Sequence, residues 1–440
     1  MSPSYDQRWD RLVTWLEGKG MLVDEKHLKV QAALFTVPAS AHINIITLES
    51  QYPGAELSAV QLISLHLFLH KPLGDTDSFD PLFGPYISVL PRDFDGHPLT
   101  WAIRRTLGRA DAGTALLGFF PPHVNTLLAQ LERRFWEDWK AVREYLKAHT
   151  HNGSSNTELD YLWAWLNVNT RDLYHDLGRR RDDNISLCPV FDYANHVWTG
   201  ATMSPSRKDS GVWGNPGNAS QASLVCSSLE KPLGKDEELL LTYGAHSNSI
   251  LFVEYGFVNV VSEADIAAGL YIAEATVDEI VYDLILRCGG DALLLVVREA
   301  LEQEGYWSDW TLHTAPPPAY PSYRLLSALR LLHVFVVDES PFGAVSTTDL
   351  ALWRDTVAGL RDAVSESNER DVRRSLRSIC DAVSVRAERS LDALMKAKAD
   401  EIGGPSAWSK FAVGNVAVLW KEERAVARAV LDSIEAGVVF

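Results

Sequence analysis

Residues 185–196 read ISLCPVFDYANH, residues 237–257 read EELLLTYGAHSNSILFVEYGF, and these two stretches decide the fold. In the first, an apolar run from Leu187 to Phe191 ends in an Asp-x-x-Asn-His cluster. In the second, the apolar run LLL is followed by Tyr243. Short apolar runs of this kind are typical of buried strands. Two strands that end together in Asn, His and Tyr would form a polar pocket with apolar walls.

The pairing resembles the two signature motifs of SET-domain methyltransferases, an Asn-His pair (Asn195 and His196) and a Tyr-Gly pair (Tyr243 and Gly244). It is most similar to the subgroup that includes the Rubisco large subunit methyltransferase, the ribosomal-protein lysine methyltransferases and the actin histidine methyltransferase. The tract PYISVLPRDFDGHPLTW, residues 85–101, also resembles the helical insertion of that subgroup. The resemblance implies an α+β fold, in which a SET domain of small curved β-sheets with a pseudoknot and a helical insertion is followed by an all-helical substrate-binding domain.

Composition limits the classes of function. The chain has 440 residues, 46% of them hydrophobic, which is enough for two or three globular domains. Its net charge of -17 argues against a general affinity for nucleic acid and favours basic protein partners, although acidity alone can also serve solubility. The four cysteines lie far apart, so we expect no disulfide and no structural metal.

The sequence also gives an expectation for location. The segment MSPSYDQRWDRLVTWL has charged residues where a secretion signal needs an apolar core. No apolar run approaches the ~18 residues of a membrane-spanning helix. We therefore expect a protein without a membrane partner that is cytosolic, or shared between the cytosol and the nucleus.

Periodicity predicts the organisation along the chain. Residues 8–17 should form a helix that Gly18 stops, residues 27–38 an extended segment, and residues 124–146 a long amphipathic helix. Residues 203–221 are rich in Ser, Gly, Asn and Pro and predict a mobile connection between strands. Residues 151–156 predict a surface loop. Further helices are expected over 276–304, 322–338, 347–367, 369–400 and 415–437.

These elements suggest two domains. We expect the SET domain over residues 1–260, with its helical insertion at about 59–178, and the helical substrate-binding domain over residues 261–440. Taken alone, the periodicities of the second part indicate only a helical domain.

The resemblance implies S-adenosylmethionine as cofactor and a role for each matching residue. Asn195, His196 and Phe257 would hold the cofactor, and Tyr255 would line the channel for the substrate lysine. Tyr243 would contact the cofactor and be the catalytic residue, because a phenol hydroxyl beside the methyl group can orient the amine.

Two further matches leave alternatives open. Arg171 matches an arginine that faces the cofactor carboxylate, but it could instead pair with Asp172 or Asp176. Asp192 matches an acid near the substrate entrance, and it could equally cap a turn.

The chain departs from its relatives at one point. They carry a Gly-x-Gly turn about one strand-turn-strand before a Leu-x-x-x-Pro segment, here Leu34 to Pro38. Gly18-Lys19-Gly20 stands upstream, but it follows a predicted helix instead of a strand, and a helix stop is the plainer interpretation. We therefore expect that a glycine-bearing hairpin has been lost between Gln31 and Leu34.

The sequence thus predicts an S-adenosylmethionine-dependent protein-lysine N-methyltransferase that acts on a non-histone substrate such as a ribosomal protein or translation factor. One alternative is histidine methylation by the same fold. The other is a non-catalytic binding module that has lost the cofactor. The oligomeric state and the target protein are not predicted.

Overall fold

The computed structural model describes residues 4–23, 33–149, 157–208, 223–228, 237–337, 340–341, 347–397 and 407–440. The chain divides into two compact units. Unit 1 contains residues 1–109, 128–245 and 253–256, and unit 2 contains residues 110–127, 246–252 and 257–440. The two units are interleaved along the chain, and the domain bounds expected from the sequence, residues 1–260 and 261–440, stay a prediction. The predicted surface loop at 151–156 lies outside the described residues.

The described helices are α1 (Tyr5–Gly18), α2 (Ile45–Leu48), α3 (Ala59–Leu69), α4 (Gly84–Ile87), α5 (Pro98–Thr106), α6 (Ala112–Leu116), α7 (Pro122–Ala148), α8 (Glu158–Asn169), α9 (Asn248–Tyr255), α10 (Glu263–Ala267), α11 (Asp278–Gln303), α12 (Tyr323–Phe335), α13 (Thr347–Val357), α14 (Glu366–Lys396) and α15 (Ala407–Glu435). The described strands are β1 (Leu22–Val23), β2 (Ala33–Val37), β3 (Ile43–Asn44), β4 (Leu173–Tyr174), β5 (Ile185–Leu187), β6 (Asn195–His196), β7 (Met203–Lys208), β8 (Ser223–Ser228), β9 (Leu240–Leu241), β10 (Glu274–Thr276), β11 (Thr311–His313), β12 (Tyr320–Pro321), β13 (Val336–Val337) and β14 (Ser340–Pro341). No helix among the described residues is both long and apolar enough to span a membrane.

Helix α1 begins at a capping box. The Ser4 hydroxyl accepts from the backbone N–H of Gln7, and the Gln7 side chain accepts from the backbone of Ser4. Leu12 and Leu16 are fully buried on one face. The helix ends at Gly18, which confirms the predicted stop, and Gly20 follows with a φ of 95°.

The segment after α1 bears on the expected loss of a hairpin. Helix α1 runs to Gly18 and is capped by Lys19, so the glycine pair follows a helix, as predicted. Strand β1 then pairs antiparallel with β2, with Leu22 opposite Thr36 and Val23 opposite Phe35. Residues 24–32 lie outside the described residues, so the loss of a glycine-bearing hairpin between Gln31 and Leu34 stays a prediction.

Strand β2 belongs to a four-stranded sheet of order β1-β2-β8-β7. Strand β7 pairs antiparallel with β8 over six residues. It occupies 203–208, where the sequence predicted a mobile connection, so that prediction is wrong for these residues. Residues 209–222 lie outside the described residues.

Two smaller sheets carry the residues of the signature stretches. One has the order β3-β5-β4, and the other is the pair β6-β9. Strand β5 ends at Leu187, so the apolar run to Phe191 is only partly a strand. Pro189 has no N–H for a strand ladder, and Val190 takes a φ of 71° before a 3-10 turn at Phe191–Tyr193. Asp192 therefore lies in a turn and not in strand β5.

The long helix α7 confirms the amphipathic period seen at 124–146. Its residues Phe135 and Trp139 are buried against Tyr161 of α8. Trp139 and Tyr161 stack with ring centroids 4.7 Å apart. The aromatic residues of this region therefore form core, as predicted.

Unit 2 is mainly helical and contains two small sheets, β10-β11-β12 and β13-β14. Helix α11 is kinked at Gly289 and Gly290, since Gly290 has a φ of 65° and a ψ of -162° that only glycine adopts readily. The helix predicted over 347–367 ends at Val357. Gly359 takes a φ of 71° there, and Ser365 caps the next helix.

Candidate functional site

A cavity of about 460 Å³ lies in unit 1, beside the first signature stretch. Four residues that the sequence predicted as site residues line it: Arg171, Asp192, Tyr243 and Tyr255. The other lining residues are Thr170, Asp172, Leu173, Tyr174, His175, Asp176, Phe191, Ala194, Pro205, Leu241 and Thr242.

The pair β6-β9 brings the two signature stretches together. The strands run parallel, with Asn195 opposite Leu240 and His196 opposite Leu241. The backbone N–H of Tyr243 donates to Nδ1 of His196 at 3.1 Å. His196 thereby fixes the backbone of the residue predicted to be catalytic.

The phenol of Tyr243 is oriented by the other stretch. Its hydroxyl donates to the carbonyl oxygen of Ala194 at 2.7 Å. The ring of Tyr255 lies at a centroid distance of 5.2 Å from that of Tyr243. Burial raises the pKa of Tyr243 above its usual value and raises the pKa of Tyr255 to about 12. Both phenols therefore keep their protons at neutral pH and act as donors or dipoles.

A buried polar network forms another wall of the cavity. Nη1 of Arg171 donates to the carbonyl oxygen of Asp192 at 2.9 Å and lies 3.3 Å from its Oδ2. The hydroxyl of Tyr86 donates to the same Oδ2 at 2.7 Å. The arginine therefore pairs with Asp192, and neither Asp172 nor Asp176 is its ion-pair partner in the described contacts.

Burial and pairing oppose each other within this network. Burial works against the charge on Arg171, but the facing Asp192 carboxylate raises the pKa of the guanidinium above its usual value. Burial also raises the pKa of Asp192, against the lowering effects of Arg171 and Tyr86. The carboxyl does not cap the turn that contains it, because its hydrogen bonds go to Tyr86 and Arg171.

Two atoms of this network have no hydrogen-bond partner within the described structure, although both are buried. They are Nε of Arg171 and Oδ1 of Asp192. A buried unpaired donor and acceptor at one cavity are suited to a ligand that carries both an acceptor and a donor, such as an amino-acid group.

The remaining predicted residues lie elsewhere. Asn195 is exposed, and its Nδ2 donates to Oε1 of Glu238 at 2.6 Å. Neither Asn195 nor His196 lines the cavity. Phe257 belongs to unit 2 and is described apart from the cavity of unit 1. The cofactor contacts of all three stay predictions.

Sequence reasoning missed two groups. Tyr86 is fully buried and reaches Asp192 from 106 residues away, and no local pattern signals such a contact. Asp172 lines the cavity, and solvent still reaches its side chain. The surrounding protein atoms desolvate its carboxyl and the Glu254 carboxylate repels its charge, so the pKa of Asp172 is raised to about 7. The polar run RDLYHD beside Arg171 was a usable signal for this second group.

Comparison with solved structures identifies the fold. The SET domain of LSMT bound to lysine and AdoHcy matches with a TM-score of 0.60 at 16% identity, over 98% of this chain and 93% of that one. Rubisco LSMT bound to AdoMet matches with a TM-score of 0.58 at 16% identity, over 99% and 92%. At these identities the likeness concerns the fold alone. No family model matches the chain.

Sequence relatives point the same way. The ribosomal lysine N-methyltransferase set11 of Schizosaccharomyces pombe is 28% identical over 39% of this chain and 37% of its own length. The human SET domain-containing protein 4 is 24% identical over 82% of this chain and 74% of its own. Ribosomal lysine N-methyltransferase 2 of Saccharomyces cerevisiae is 26% identical over 62% and 57%. The chain thus spans little more than a third of the length of the first relative. The chain therefore has the fold of the SET domain of LSMT, and its sequence is similar to those of ribosomal lysine N-methyltransferases and SET domain-containing protein 4.

Proposed function

We propose that the chain is an S-adenosylmethionine-dependent protein-lysine N-methyltransferase with a non-histone substrate such as a ribosomal protein or a translation factor. The observation that carries this proposal is the cavity in which Tyr243 and Tyr255 face the buried Arg171–Asp192 pair. Two of the relatives are named as ribosomal lysine N-methyltransferases, which supports this substrate class.

Methyl transfer to an amine is a direct displacement, in which the nitrogen lone pair must align with the bond that breaks. S-adenosylmethionine supplies the methyl group on a positively charged sulfur. The protein has to orient the two reactants, exclude water and accept an amine that has lost its proton. The partly buried phenols of Tyr243 and Tyr255 suit the last task, because a cavity of low polarity favours the neutral amine.

In this proposal Tyr243 is the catalytic residue. Its hydroxyl donates to the Ala194 carbonyl oxygen at 2.7 Å, so both oxygens keep lone pairs that can accept from the amine or stabilise a polarised methyl group. Tyr255 and Asp192 would bind the substrate side chain. Arg171, Asn195, His196 and Phe257 would hold the cofactor, and the buried unpaired Nε of Arg171 fits a carboxylate oxygen.

We also propose that the substrate segment is basic. The net charge of -17 supports this, and so does a cavity of about 300 Å³ in unit 2. Its walls contain Asp278, Glu279 and Asp283 next to Tyr282 and Trp307. Carboxylates beside aromatic faces suit lysine and arginine side chains. A cytosolic location, or one shared with the nucleus, would give access to ribosomal proteins and translation factors.

The test combines binding and turnover. Calorimetric titration of the full chain with S-adenosylmethionine should give a dissociation constant in the micromolar range, or about -8 kcal/mol. With labelled cofactor and a cell extract, wild-type protein should mark a protein band in which lysine carries the methyl group. Tyr243→Phe should abolish labelling while the melting temperature is retained.

The matched control is Tyr145→Phe, a tyrosine of unit 1 outside the cavity, which should label like wild type. Methyl groups on histidine would select the alternative activity of the same fold. A dissociation constant far above the micromolar range, without labelling, would select the non-catalytic module. Undiminished turnover by Tyr243→Phe would refute the role given to its hydroxyl.

A further inference from the structure

Unit 1 contains a cluster of potential metal ligands outside the cavity described above. His66 and His70 lie one turn apart at the C-terminal end of α3, and Asp80 follows in the connection to α4. A ring nitrogen of each histidine and a carboxylate oxygen of Asp80 all lie within 4.8 Å of one another.

Two distances within the cluster are close to those of a coordination site. Nε2 of His66 lies 3.5 Å from Oδ2 of Asp80, and Nε2 of His70 lies 3.8 Å from Oδ1. Two ligand atoms that bind one zinc ion tetrahedrally, each at about 2.0–2.1 Å, are about 3.4 Å apart. Closure of the cluster around an ion therefore needs shifts of only a few tenths of an ångström in these two pairs.

Two buried polar atoms of the cluster lack hydrogen-bond partners within the described structure. The side chains of His66 and Asp80 are fully buried, yet Nε2 of His66 and Oδ1 of Asp80 have no hydrogen-bond partner within the described structure. Within the described residues, the ion-pair partners of the Asp80 carboxylate are these two histidines, with no lysine or arginine among them. An imidazole carries charge only when it is protonated, so a buried carboxylate that faces two of them is costly, and a bound divalent cation would lower that cost.

The surroundings already orient the ligands. The hydroxyl of Tyr52 lies 3.0 Å from Nδ1 of His66, and the backbone N–H of Phe83 donates to Oδ2 of Asp80. A metal-bound histidine uses its second ring nitrogen in this way, which leaves Nε2 free to bind the ion. The positions of both ring and carboxylate are therefore set before an ion arrives.

An ion can reach the cluster through His70. Its side chain is 27% exposed, and it lines a surface groove together with Tyr52 and His149. Three protein ligands with one open position that water can fill are the usual arrangement of a four-coordinate zinc ion outside purely structural sites.

We propose that His66, His70 and Asp80 form a binding site for one zinc ion, with a water molecule from the groove as the fourth ligand. Two imidazoles and one carboxylate suit zinc better than magnesium or calcium, which prefer oxygen ligands. The site ties the connection after α3 to the helix. It does not depend on the methyltransferase proposal, since none of its ligands lines the cavity at Tyr243.

The test is zinc binding by the full chain. Metal-free protein is titrated with zinc chloride in competition with a chromophoric chelator, and stoichiometry is checked by elemental analysis after dialysis. Wild-type protein should bind one equivalent, and its melting temperature should rise with zinc. Cobalt at the same site should give the visible absorption of a four-coordinate ion, which a chance surface ion would not.

His70→Gln should weaken zinc binding by more than about 100-fold, the upper range for loss of a residue that only supports a ligand. Because His70 is partly exposed, this variant should fold. His149→Gln, a histidine of the same groove whose Nδ1 contacts the Tyr145 carbonyl, is the matched control and should bind like wild type. Absence of stoichiometric binding by wild-type protein, or equal binding by His70→Gln, would overturn the proposal.

Discussion

Asp192, in the first signature stretch, is a buried charged residue whose pairing bears on stability. Its side chain is fully buried, and it contacts Arg171 on one side and the Tyr86 hydroxyl on the other. A charged pair in such a place is expensive to bury, but removing only one partner costs more, since the other charge is left alone.

We therefore predict that Asp192→Asn lowers the free energy of unfolding by about 3–5 kcal/mol. Asparagine can still accept the hydrogen bond from Tyr86, so the loss of unfolding free energy would come from the unpaired charge on Arg171. Denaturant unfolding followed by tryptophan fluorescence measures it. Arg298→Gln, which removes an exposed ion pair with Glu302, should leave stability unchanged. A loss below about 1 kcal/mol for Asp192→Asn would mean that the pair is not buried as described.

Glu422, a residue of unit 2, predicts how the stability of the protein depends on pH. It is buried, its Oε2 accepts from Nδ2 of Asn248 at 2.7 Å, and burial raises its pKa to about 8. The folded protein thus holds a proton that the unfolded chain releases at lower pH. Between about pH 5 and pH 8 the unfolded state binds fewer protons, so stability falls as pH rises, by up to about 1.4 kcal/mol per pH unit.

Glu422→Gln should remove this fall, because glutamine keeps the acceptor and carries no proton to lose. Unfolding free energies at three pH values across the window give the slope. Glu388→Gln on the exposed face of α14 should keep the slope of the wild type. If wild type and Glu422→Gln have the same slope, Glu422 is ionised in the folded state at neutral pH.

At the scale of single elements, the sequence predicted helices better than strands for a physical reason. Helix α7 repeats its apolar positions over many turns, so its period can be recognised without its partners. Strand β1 has two residues, too few for any period, and is defined only by its pairing with β2. Strand β5 is shorter than its apolar run, because Pro189 and Val190 end the ladder of backbone hydrogen bonds inside that run.

Gly256 illustrates a local conformation that holds a site residue. It has a φ of 85°, and a side chain there would place Cβ 3.1 Å from Cδ2 of His97. His97 is buried at the start of α5, where Nδ1 accepts from the backbone of Leu99 and Nε2 donates to the Glu254 carbonyl. The ring therefore cannot move without losing these hydrogen bonds.

We predict that Gly256→Ala lowers stability by about 1–3 kcal/mol and reduces turnover, because the strained residue follows Tyr255 directly. Thermal unfolding and methyl transfer measure the two effects. Gly118→Ala is the control, since no heavy atom lies within 4 Å of its added Cβ and its φ is not positive. Equal stability of Gly256→Ala and wild type would show that this turn tolerates a side chain.

At the scale of the whole molecule, charge was visible in the sequence, whereas the interleaving of the two compact units along the chain was not. Residues 110–127 fall in unit 2, although the rest of unit 2 begins only at residue 246. Contacts over such separations leave no local pattern. The sum of charges needs no contacts, and a net charge of -17 was fixed by composition alone.

From this charge we predict how KM for the proposed lysine-rich substrate depends on salt. Attraction between an acidic enzyme and a basic peptide is screened within about 10 Å at 0.1 M salt. We therefore expect KM for a basic peptide to rise several-fold between about 0.05 and 0.3 M salt, with kcat nearly constant, because steering affects encounter more than chemistry. A peptide in which the flanking lysines are replaced by glutamine should lose this dependence.

Local and overall charge can be separated by two double variants with the same change of net charge. Glu279→Gln with Asp283→Asn removes two of the three carboxylate charges in the wall of the unit 2 cavity, and Asp381→Asn with Glu388→Gln removes two exposed carboxylate charges on α14. Long-range steering depends on the total charge and should weaken equally in both. A further rise of KM confined to the first variant would place the basic segment in that cavity, since only there do carboxylates adjoin Tyr282 and Trp307. Equal KM values for the two variants would leave overall charge as the sole cause and would remove the cavity from the substrate path.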